Sequence, residues 1–162
     1  YEWDGILSEP SPGWKETLEA NRSCKKDYRC VYSESGKIVN FIQTSEKEYS
    51  TISTFSNSDK HKSKRRNFTQ YEIATITLSD LLQEYNAPLE IDYLSIDTEG
   101  SEYEILKIFN FKKYTFKVIT VEHNNTINKT LINELLEKNG YIRQLEDLSQ
   151  FESWYTKSNL LI

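Results

Sequence analysis

The sequence predicts an α/β fold built on a doubly wound, mainly parallel sheet. Short apolar runs alternate with helix-like segments through most of the 162 residues, which is the order of parallel strands joined by crossover helices. Residues 91–96 are rich in apolar and β-branched side chains, and Asp97 and Glu99 follow at once. This pattern is typical of a buried parallel strand whose carboxyl end meets a ligand. The length is that of one domain, which we place over residues 1–162.

The amino-terminal elements are predicted from their boundaries. An apolar run at Ile6 and Leu7 ends before Pro10, because proline cannot continue the ladder of a central strand. Ser11 and Pro12 then supply the N-cap and the first-turn proline of a helix. Two strands follow, at residues 28–32 and 37–44.

Residues 45–67 have no periodicity and are dominated by serine, threonine, lysine and asparagine. A stretch of this length within a compact domain is usually a functional lid or disordered, so we predict a loop or lid. It contains a cluster of basic residues, Lys60, Lys62, Lys64, Arg65 and Arg66. The cluster is either a solvated surface or a lid that attracts an anionic substrate, in which case His61 would contact that substrate.

The second half of the chain repeats the alternation of strand and helix. The helix after residue 76 is capped by Thr77 or Ser79 and ends before Pro88. The last helix stops at Asn139 and Gly140, a common termination signal. The predicted strands are an edge strand at 72–76, the central strand at 91–96, and further strands at 116–121, 141–144 and 154–162. The other predicted helices lie at 101–109 and 127–138.

Composition restricts the possible partners. The formal net charge is −5, with 20 basic and 25 acidic residues, so general attraction to nucleic acid or to an anionic membrane is not expected. The sequence shows no apolar stretch long enough to span a bilayer and no signal peptide, which predicts a cytoplasmic protein. Cys24 and Cys30 lack the spacing of a zinc site, and we expect free thiols.

Chemically capable side chains follow three predicted strands: Glu9, then Asp97 with Glu99, then Glu122 with His123 and Asn124. In a doubly wound sheet these strand ends converge on one crevice. A ribose-binding acid, a general base and a polar substrate clamp can be built from them. The alternative is that each strand end is polar simply because it is solvated.

Individual roles follow from side-chain chemistry. The two oxygens of Glu9 match two vicinal ribose hydroxyls of a nucleotide-type cofactor. A histidine such as His123 can accept a proton from a hydroxyl near neutral pH, unless a carboxylate holds it for structural reasons. Trp154, next to an acidic loop, could line an acceptor pocket. The oxygens at these strand ends would suit magnesium or calcium, but no fixed ligand spacing supports this, and we predict no metal.

Two blocks of the sequence resemble the FkbM family of S-adenosylmethionine-dependent methyltransferases. The first is D-T-E-G-S-E at residues 97–102, and the second is V-E-H-N at residues 121–124. Weaker similarity extends in the same order over residues 5–10, 77–82 and 135–141, so the resemblance covers nearly the whole chain.

The resemblance implies a Rossmann-like fold of the class I methyltransferase type. It also implies transfer of a methyl group from S-adenosylmethionine to a hydroxyl of a small molecule or sugar-containing metabolite. Cofactor binding is assigned by the resemblance to Glu9, Asp97 and Gly100. Catalysis is assigned to Asp97, Glu99 and His123, with His123 or Asp97 as the base. The residues expected on the acceptor side are Glu122, Asn124, His61 and Trp154.

The chain departs from this family at one motif. A class I methyltransferase carries a glycine-rich loop after its first strand, ahead of the strand that ends in the ribose-binding acid. The five glycines stand at positions 5, 13, 36, 100 and 140, and none forms such a loop upstream of Gly5. We therefore expect the carboxyl-terminal portion of a longer methyltransferase, without its first strand, or alternatively a degenerate homologue. On either view, this chain alone is expected to bind the cofactor poorly.

Two other functions are also compatible with the sequence. A non-catalytic binding module of the same fold could recognise an anionic ligand through Lys60, Arg66 and the residues between them. A magnesium-dependent enzyme acting on phosphate esters would need metal ligands that the sequence does not reveal. The acids at three strand ends favour the methyltransferase, whereas the missing glycine-rich loop favours the module.

Overall fold

The computed structural model describes residues 4–158, and within that range it contains ten strands and four α-helices. The strands are β1 (Ile6–Ser8), β2 (Lys25–Asp27), β3 (Cys30–Val31), β4 (Ile38–Thr44), β5 (Thr51–Ile52), β6 (Phe68–Ile76), β7 (Glu90–Ile96), β8 (Thr115–Glu122), β9 (Tyr141–Gln144) and β10 (Glu152–Lys157). The helices are α1 (Lys15–Asn21), α2 (Leu78–Glu84), α3 (Glu102–Lys107) and α4 (Asn128–Lys138). None of these helices is long and apolar enough to cross a membrane. The predicted α/β class is confirmed.

The strands form three separate sheets. The first pairs β1 with β2, the second has the order β3-β6-β4-β5, and the third has the order β7-β8-β10-β9. Within residues 4–158, four of the seven strand pairs are antiparallel. The prediction of a single, mainly parallel, doubly wound sheet is therefore corrected: the strands are divided among three sheets, and more pairs are antiparallel than parallel.

The connections between strands account for the mixture of pairings. Only residues 145–151 separate β9 from β10, and a connection this short joins antiparallel neighbours. By contrast, α3 connects β7 to β8, and these two strands are parallel. β1 and β7 are both edge strands of their sheets and are not hydrogen-bonded to each other. The third sheet therefore keeps one parallel crossover unit, which positions the site described below.

Strand boundaries differ from the predictions at several places. The predicted edge strand at 72–76 is the longer β6, which lies between β3 and β4. The first three residues of β6 are exposed, so the apolar pattern indicated only its buried end. The predicted strand at 28–32 is reduced to β3, and the short, charged β2 escapes the sequence prediction. β10 ends at Lys157, and residues 159–162 of the predicted last strand lie outside the described residues.

The main hydrophobic core lies between the third sheet and helices α2, α3 and α4. Leu106 of α3, Ile119 and Val121 of β8, and Leu136 of α4 have no exposed surface. Apolar residues at helical spacing give α3 and α4 the buried faces that pack on the sheet. This packing fixes the end of β7 relative to the end of β8, where the predicted acids lie.

A smaller core joins the second sheet to residues 45–67. It contains Cys30 of β3 and Ile52 of β5, with Phe55 packed against them. The segment 45–67 includes β5 and three short 3-10 turns, so the predicted loop carries some regular structure and several buried side chains. Cys24 and Cys30 are free thiols, as predicted.

Candidate active site

A cleft of about 1040 Å³ is lined by both β1 and β7. Glu9, which follows β1, lines the same cleft as Asp97 and Glu99, which follow β7. The structure therefore brings the acids of two predicted strand ends together in one cavity. Its volume is in the range of clefts that hold small ligands and cofactors.

The acids after β7 and β8 are neighbours because of the strand register. Ile96 pairs with Val121, so Asp97 and Glu122 leave adjacent parallel strands at the same level. One carboxylate oxygen from each of Asp97, Glu99 and Glu122 lies within 4.8 Å of the other two. We call these three residues the acid cluster.

The surroundings of the acid cluster raise the pKa of each of its three carboxyl groups. Burial raises the pKa of Glu122 to about 9, and the charges of Asp97 and Glu99 add to the shift. Asp97 is open to solvent in the cleft, yet the surrounding protein raises its pKa, and a hydrogen bond with Glu122 opposes the rise. Asp97 and Glu122 therefore titrate as a pair, with the proton held mainly by Glu122.

Glu99 is held in an unusual backbone conformation by specific partners. Its φ is +57°, in the left-handed region that non-glycine residues rarely adopt. Its Oε2 accepts a hydrogen bond from the Arg65 guanidinium at 2.6 Å and a longer one from Asn124 Nδ2 at 3.4 Å. Burial raises the pKa of Glu99 to about 7, although the positive charge of Arg65 opposes this. Asn124 also has a positive φ, of +46°, so both partners carry backbone strain of the kind found at functional sites.

The loop that carries Asp97 and Glu99 is closed by the buried Glu102. Glu102 Oε1 accepts hydrogen bonds from the N–H of Thr98 at 2.9 Å and of Gly100 at 3.0 Å. Gly100 has a φ of +126°. A Cβ atom there would lie 2.7 Å from Ser58 Oγ and 2.9 Å from Phe55 Cβ. The glycine is therefore required by the close approach of residues 45–67 to this loop.

Glu9 is oriented by a local turn. Its Oε1 accepts a hydrogen bond from the N–H of Ser11 at 2.8 Å. Burial raises the pKa of Glu9, the bond from Ser11 lowers it, and the charge of Asp97 raises it. The carboxylate is thus fixed in the cleft and lies within the electrostatic influence of Asp97.

His123 lies in a different environment from the acid cluster. It follows Glu122 on an extended chain, so the two side chains leave on opposite faces. Its Nδ1 accepts a hydrogen bond from the N–H of Asn125 at 3.0 Å, which leaves the neutral ring's proton on Nε2. Burial lowers the pKa of His123 to about 4, and the charges of Lys129 and Arg143 lower it further. The partner of Nδ1 is a backbone N–H and not a carboxylate, and the choice between His123 and Asp97 as the base stays a prediction.

None of the four predicted acceptor-side residues is among the residues that line the cleft. Glu122 and Asn124 lie beside Glu99, whereas His61 and Trp154 make other contacts. The ring of His61 stacks on Tyr49, with centroids 4.7 Å apart. Trp154 Nε1 donates a hydrogen bond to Glu152 Oε1 at 2.9 Å. Roles for His61 and Trp154 in binding the acceptor stay predictions.

Three residues of the site escape the sequence prediction. Arg65 belongs to the cluster of basic residues in segment 45–67, for which the sequence predicts either a solvated surface or a lid. Its side chain is nevertheless only 1% exposed. Trp14 and Lys47 line the cleft, and Lys47 Nζ lies 5.1 Å from the centroid of the Trp14 ring. No signal in the sequence separates Arg65 from its basic neighbours, because burial depends on a contact with the distant Glu99.

The acid cluster offers oxygen ligands of the kind that magnesium prefers. Arg65 pairs with Glu99 and so offsets part of the negative charge of the cluster. The prediction of no metal stays a prediction.

A sequence model described as the methyltransferase FkbM domain matches residues 1–144. The matched range includes Glu9, the acid cluster and Arg65. No curated protein and no solved structure gives a significant match. The resemblance carried by D-T-E-G-S-E and V-E-H-N is therefore confirmed over most of the sequence, and the chain belongs to the family of FkbM methyltransferase domains.

Proposed function

We propose that this protein is an S-adenosylmethionine-dependent O-methyltransferase that acts on a hydroxyl of a small molecule or sugar-containing metabolite. One observation carries the proposal: in a chain of the FkbM methyltransferase family, Glu9, Asp97 and Glu99 line a single cleft of about 1040 Å³. An acid cluster at the end of a parallel strand is suited to position two substrates and to remove a proton.

The donor set of the cleft fits the cofactor. Glu9 Oε1 is already held by Ser11, so the carboxylate is oriented to accept hydrogen bonds from ribose hydroxyls. Trp14 adds an aromatic surface to the same cleft, which could contact an adenine ring. The acids Asp97 and Glu99 would lie near the positively charged sulfonium. When bound, S-adenosylmethionine would supply an electrophilic methyl group.

The chain's own residues would prepare the acceptor hydroxyl. Asp97 is exposed to the cleft and can take the hydroxyl proton, while the hydrogen bond with Glu122 keeps Asp97 available as the carboxylate. Asn124 donates to Glu99 and would help to orient the acceptor through that carboxylate. The buried part of the cluster excludes water from one side of the reacting atoms.

We infer that the complete class I sheet needs one more strand between β1 and β7. Each of these strands is an edge strand with unpaired backbone groups, and both line the same cleft. An extended segment placed there would join the first and third sheets. Such a segment could also bring a glycine-rich turn to the cofactor.

Calorimetry with S-adenosylmethionine and its demethylated product tests the proposal. It should be carried out on this chain and on a version extended in its own reading frame. We expect binding by at least one version, and a drop of roughly tenfold or more with Glu9→Gln, because one charged acceptor is lost. Glu34→Gln, which changes an exposed acid of an ion pair with Lys37, serves as the matched control and should leave affinity unchanged. Absence of binding by both versions would overturn the assignment.

A second candidate function rests on a separate cavity. A cavity of about 410 Å³ is lined by Lys62, Arg66 and the exposed Phe68, and no acidic residue is among its described lining. This composition suits an anionic glycan or a similar small anion. A binding module would bind such a ligand, lose it with Lys62→Gln and Arg66→Gln, and show no affinity for S-adenosylmethionine.

A further inference from the structure

The side chain of Arg65 is fully buried and uses all three of its nitrogens. Its guanidinium donates to Asp59 Oδ1 at 2.8 Å and Oδ2 at 3.0 Å, and to Glu99 Oε2 at 2.6 Å. Its Nε donates to the carbonyl oxygen of Tyr49 at 2.8 Å. The side chains of Arg65 and Asp59 are each 1% exposed, and that of Glu99 is 8% exposed. The one cation of this buried group therefore comes from the segment 45–67, and one of its two acids comes from the acid cluster.

The same segment makes two further contacts with the loop after β7. Thr51 Oγ1 donates to the carbonyl oxygen of Glu99 at 3.0 Å. Phe55 and Ser58 lie so close to Gly100 that a methyl group there would collide with them. The segment thus holds both the backbone and the side chain of Glu99.

We propose that Arg65 is a positioning residue that fixes the Glu99 carboxylate within the acid cluster and latches the segment 45–67 over the loop after β7. The proposal rests on the proposed function only in treating Glu99 as a residue of the active site. Arg65 does not touch the reacting atoms, and it acts through Glu99.

The arrangement of donors explains why this position needs arginine. The planar fork places two nitrogens on the two oxygens of Asp59 and also reaches Glu99. A lysine ammonium is a point charge and cannot reproduce that geometry. The charged groups that influence Glu99 are Arg65, Asp97, Asp59 and Glu102. Without Arg65, these acids would face one another with no buried cation between them.

A double-mutant cycle of stability tests the latch without any ligand. Arg65→Met should lower the folding equilibrium constant on the order of 100-fold, because it leaves buried acids unpaired. In the Glu99→Gln background, the factor by which Arg65→Met lowers the folding equilibrium constant should be at least ten times smaller, since one of those acids is then neutral. Lys64→Met is the matched control, because Lys64 forms an exposed ion pair with Glu46 in the same segment. That control should change the constant by less than about fivefold.

Hydrogen exchange and cofactor affinity complete the test. Arg65→Met should speed exchange across residues 45–67, and Arg65→Lys should restore part of the protection. Arg65→Met should weaken the binding of S-adenosylmethionine in whichever version of the protein binds it. When Glu99→Gln is already present, adding Arg65→Met should change the affinity much less. Strictly additive effects of the two substitutions on stability would overturn the latch. Coupled stability with no cofactor binding would instead support the latch and reject the methyltransferase.

Discussion

At the scale of single residues, the acid cluster combines three carboxyl groups with one buried cation. Asp97, Glu99 and Glu122 lie within 4.8 Å of one another, but their environments differ. Glu99 is paired with Arg65, Glu122 is half-buried beside two acids, and Asp97 opens to the cleft. Different environments give similar groups different tasks, and we propose that Asp97 is the member that exchanges a proton with a bound acceptor.

The proton on Glu122 makes stability depend on pH. Burial raises its pKa from 4.5 to about 9, so the folded state holds a proton that the unfolded state releases above pH 4.5. The stabilisation is fully present below pH 4.5 and is lost as the pH rises through 9. Between pH 7 and 9 we expect the free energy of unfolding to fall by at most about 1.4 kcal/mol per pH unit for this proton. Urea unfolding at pH 7, 8 and 9 measures the slope.

Glu122→Gln provides the control for this pH dependence. It removes the main titrating group and should reduce the slope between pH 7 and 9. The slope that remains near pH 7 comes from Glu99, whose pKa is raised by burial to about 7. His123 does not interfere in this window, because its lowered pKa of about 4 makes its contribution constant above pH 6.5. Equal slopes for the two proteins would show that Glu122 is ionised in the folded state at neutral pH.

Gly100→Ala should destabilise the protein by ~1–3 kcal/mol or more. The φ of +126° is strained for alanine, and its Cβ would lie 2.9 Å from Phe55 Cβ. Gly5→Ala is the matched control, since nothing lies within 4 Å of a Cβ at that position. Thermal unfolding of both variants checks the difference, and equal melting temperatures would contradict the close approach of segment 45–67.

Much of the acid cluster could be predicted from the sequence, and two of its neighbours could not. Asp97, Glu99 and Glu122 follow apolar runs, and the register of parallel strands brings such positions together. Arg65 could not be predicted, because its burial depends on a partner 34 positions away. His123 could have been separated from the cluster, because adjacent residues of a strand face opposite sides.

At the scale of elements, α2 is defined by its cap. Thr77 Oγ1 accepts a hydrogen bond from the N–H of Asp80 at 3.1 Å, which confirms the first of the two predicted caps. Thr77→Ala should therefore cost ~1 kcal/mol of unfolding free energy, and Thr77→Ser should restore most of it. Chemical denaturation measures both, and a serine variant as unstable as the alanine variant would argue against the cap.

Helix α3 ties the acid loop to the main core. Leu106 has no exposed surface, so Leu106→Ala should cost ~2–5 kcal/mol through lost burial and an unfilled cavity. Ile108→Ala, at a position that is 39% exposed, is the control and should cost much less. Urea denaturation compares the two, and a similar loss in both would mean that α3 is not anchored through Leu106.

Elements with a strong apolar period were predicted well, and those defined by pairing were not. The helices at 102–107 and 128–138 and the strands at 90–96 and 115–122 match their predictions within a few residues. β2 is short and charged, and it is a strand because its backbone pairs with β1. The first part of β6 is exposed, so only its register with β4 reveals its length.

At the scale of the whole molecule, the three sheets meet around one cleft. The first sheet supplies Glu9, the third sheet supplies Asp97, and the segment 45–67 closes over Glu99. The α/β class and the convergence of acids follow from the order of elements in the sequence. The division into three sheets does not follow from that order, because it depends on which strands form hydrogen bonds with each other, and β1 and β7 do not.

The most direct test of the central claim is a titration with S-adenosylmethionine, followed through the backbone amide signals by NMR, since chemical shifts also report weak binding. Nitrogen-15-labelled samples of this chain and of the extended version are compared. A methyltransferase that uses this cleft should show its largest changes at residues 5–10 and 97–101 in at least one version, and Glu9→Gln should reduce them. No changes in either version at any concentration, or changes confined to residues 60–66, would contradict the cleft as the cofactor site.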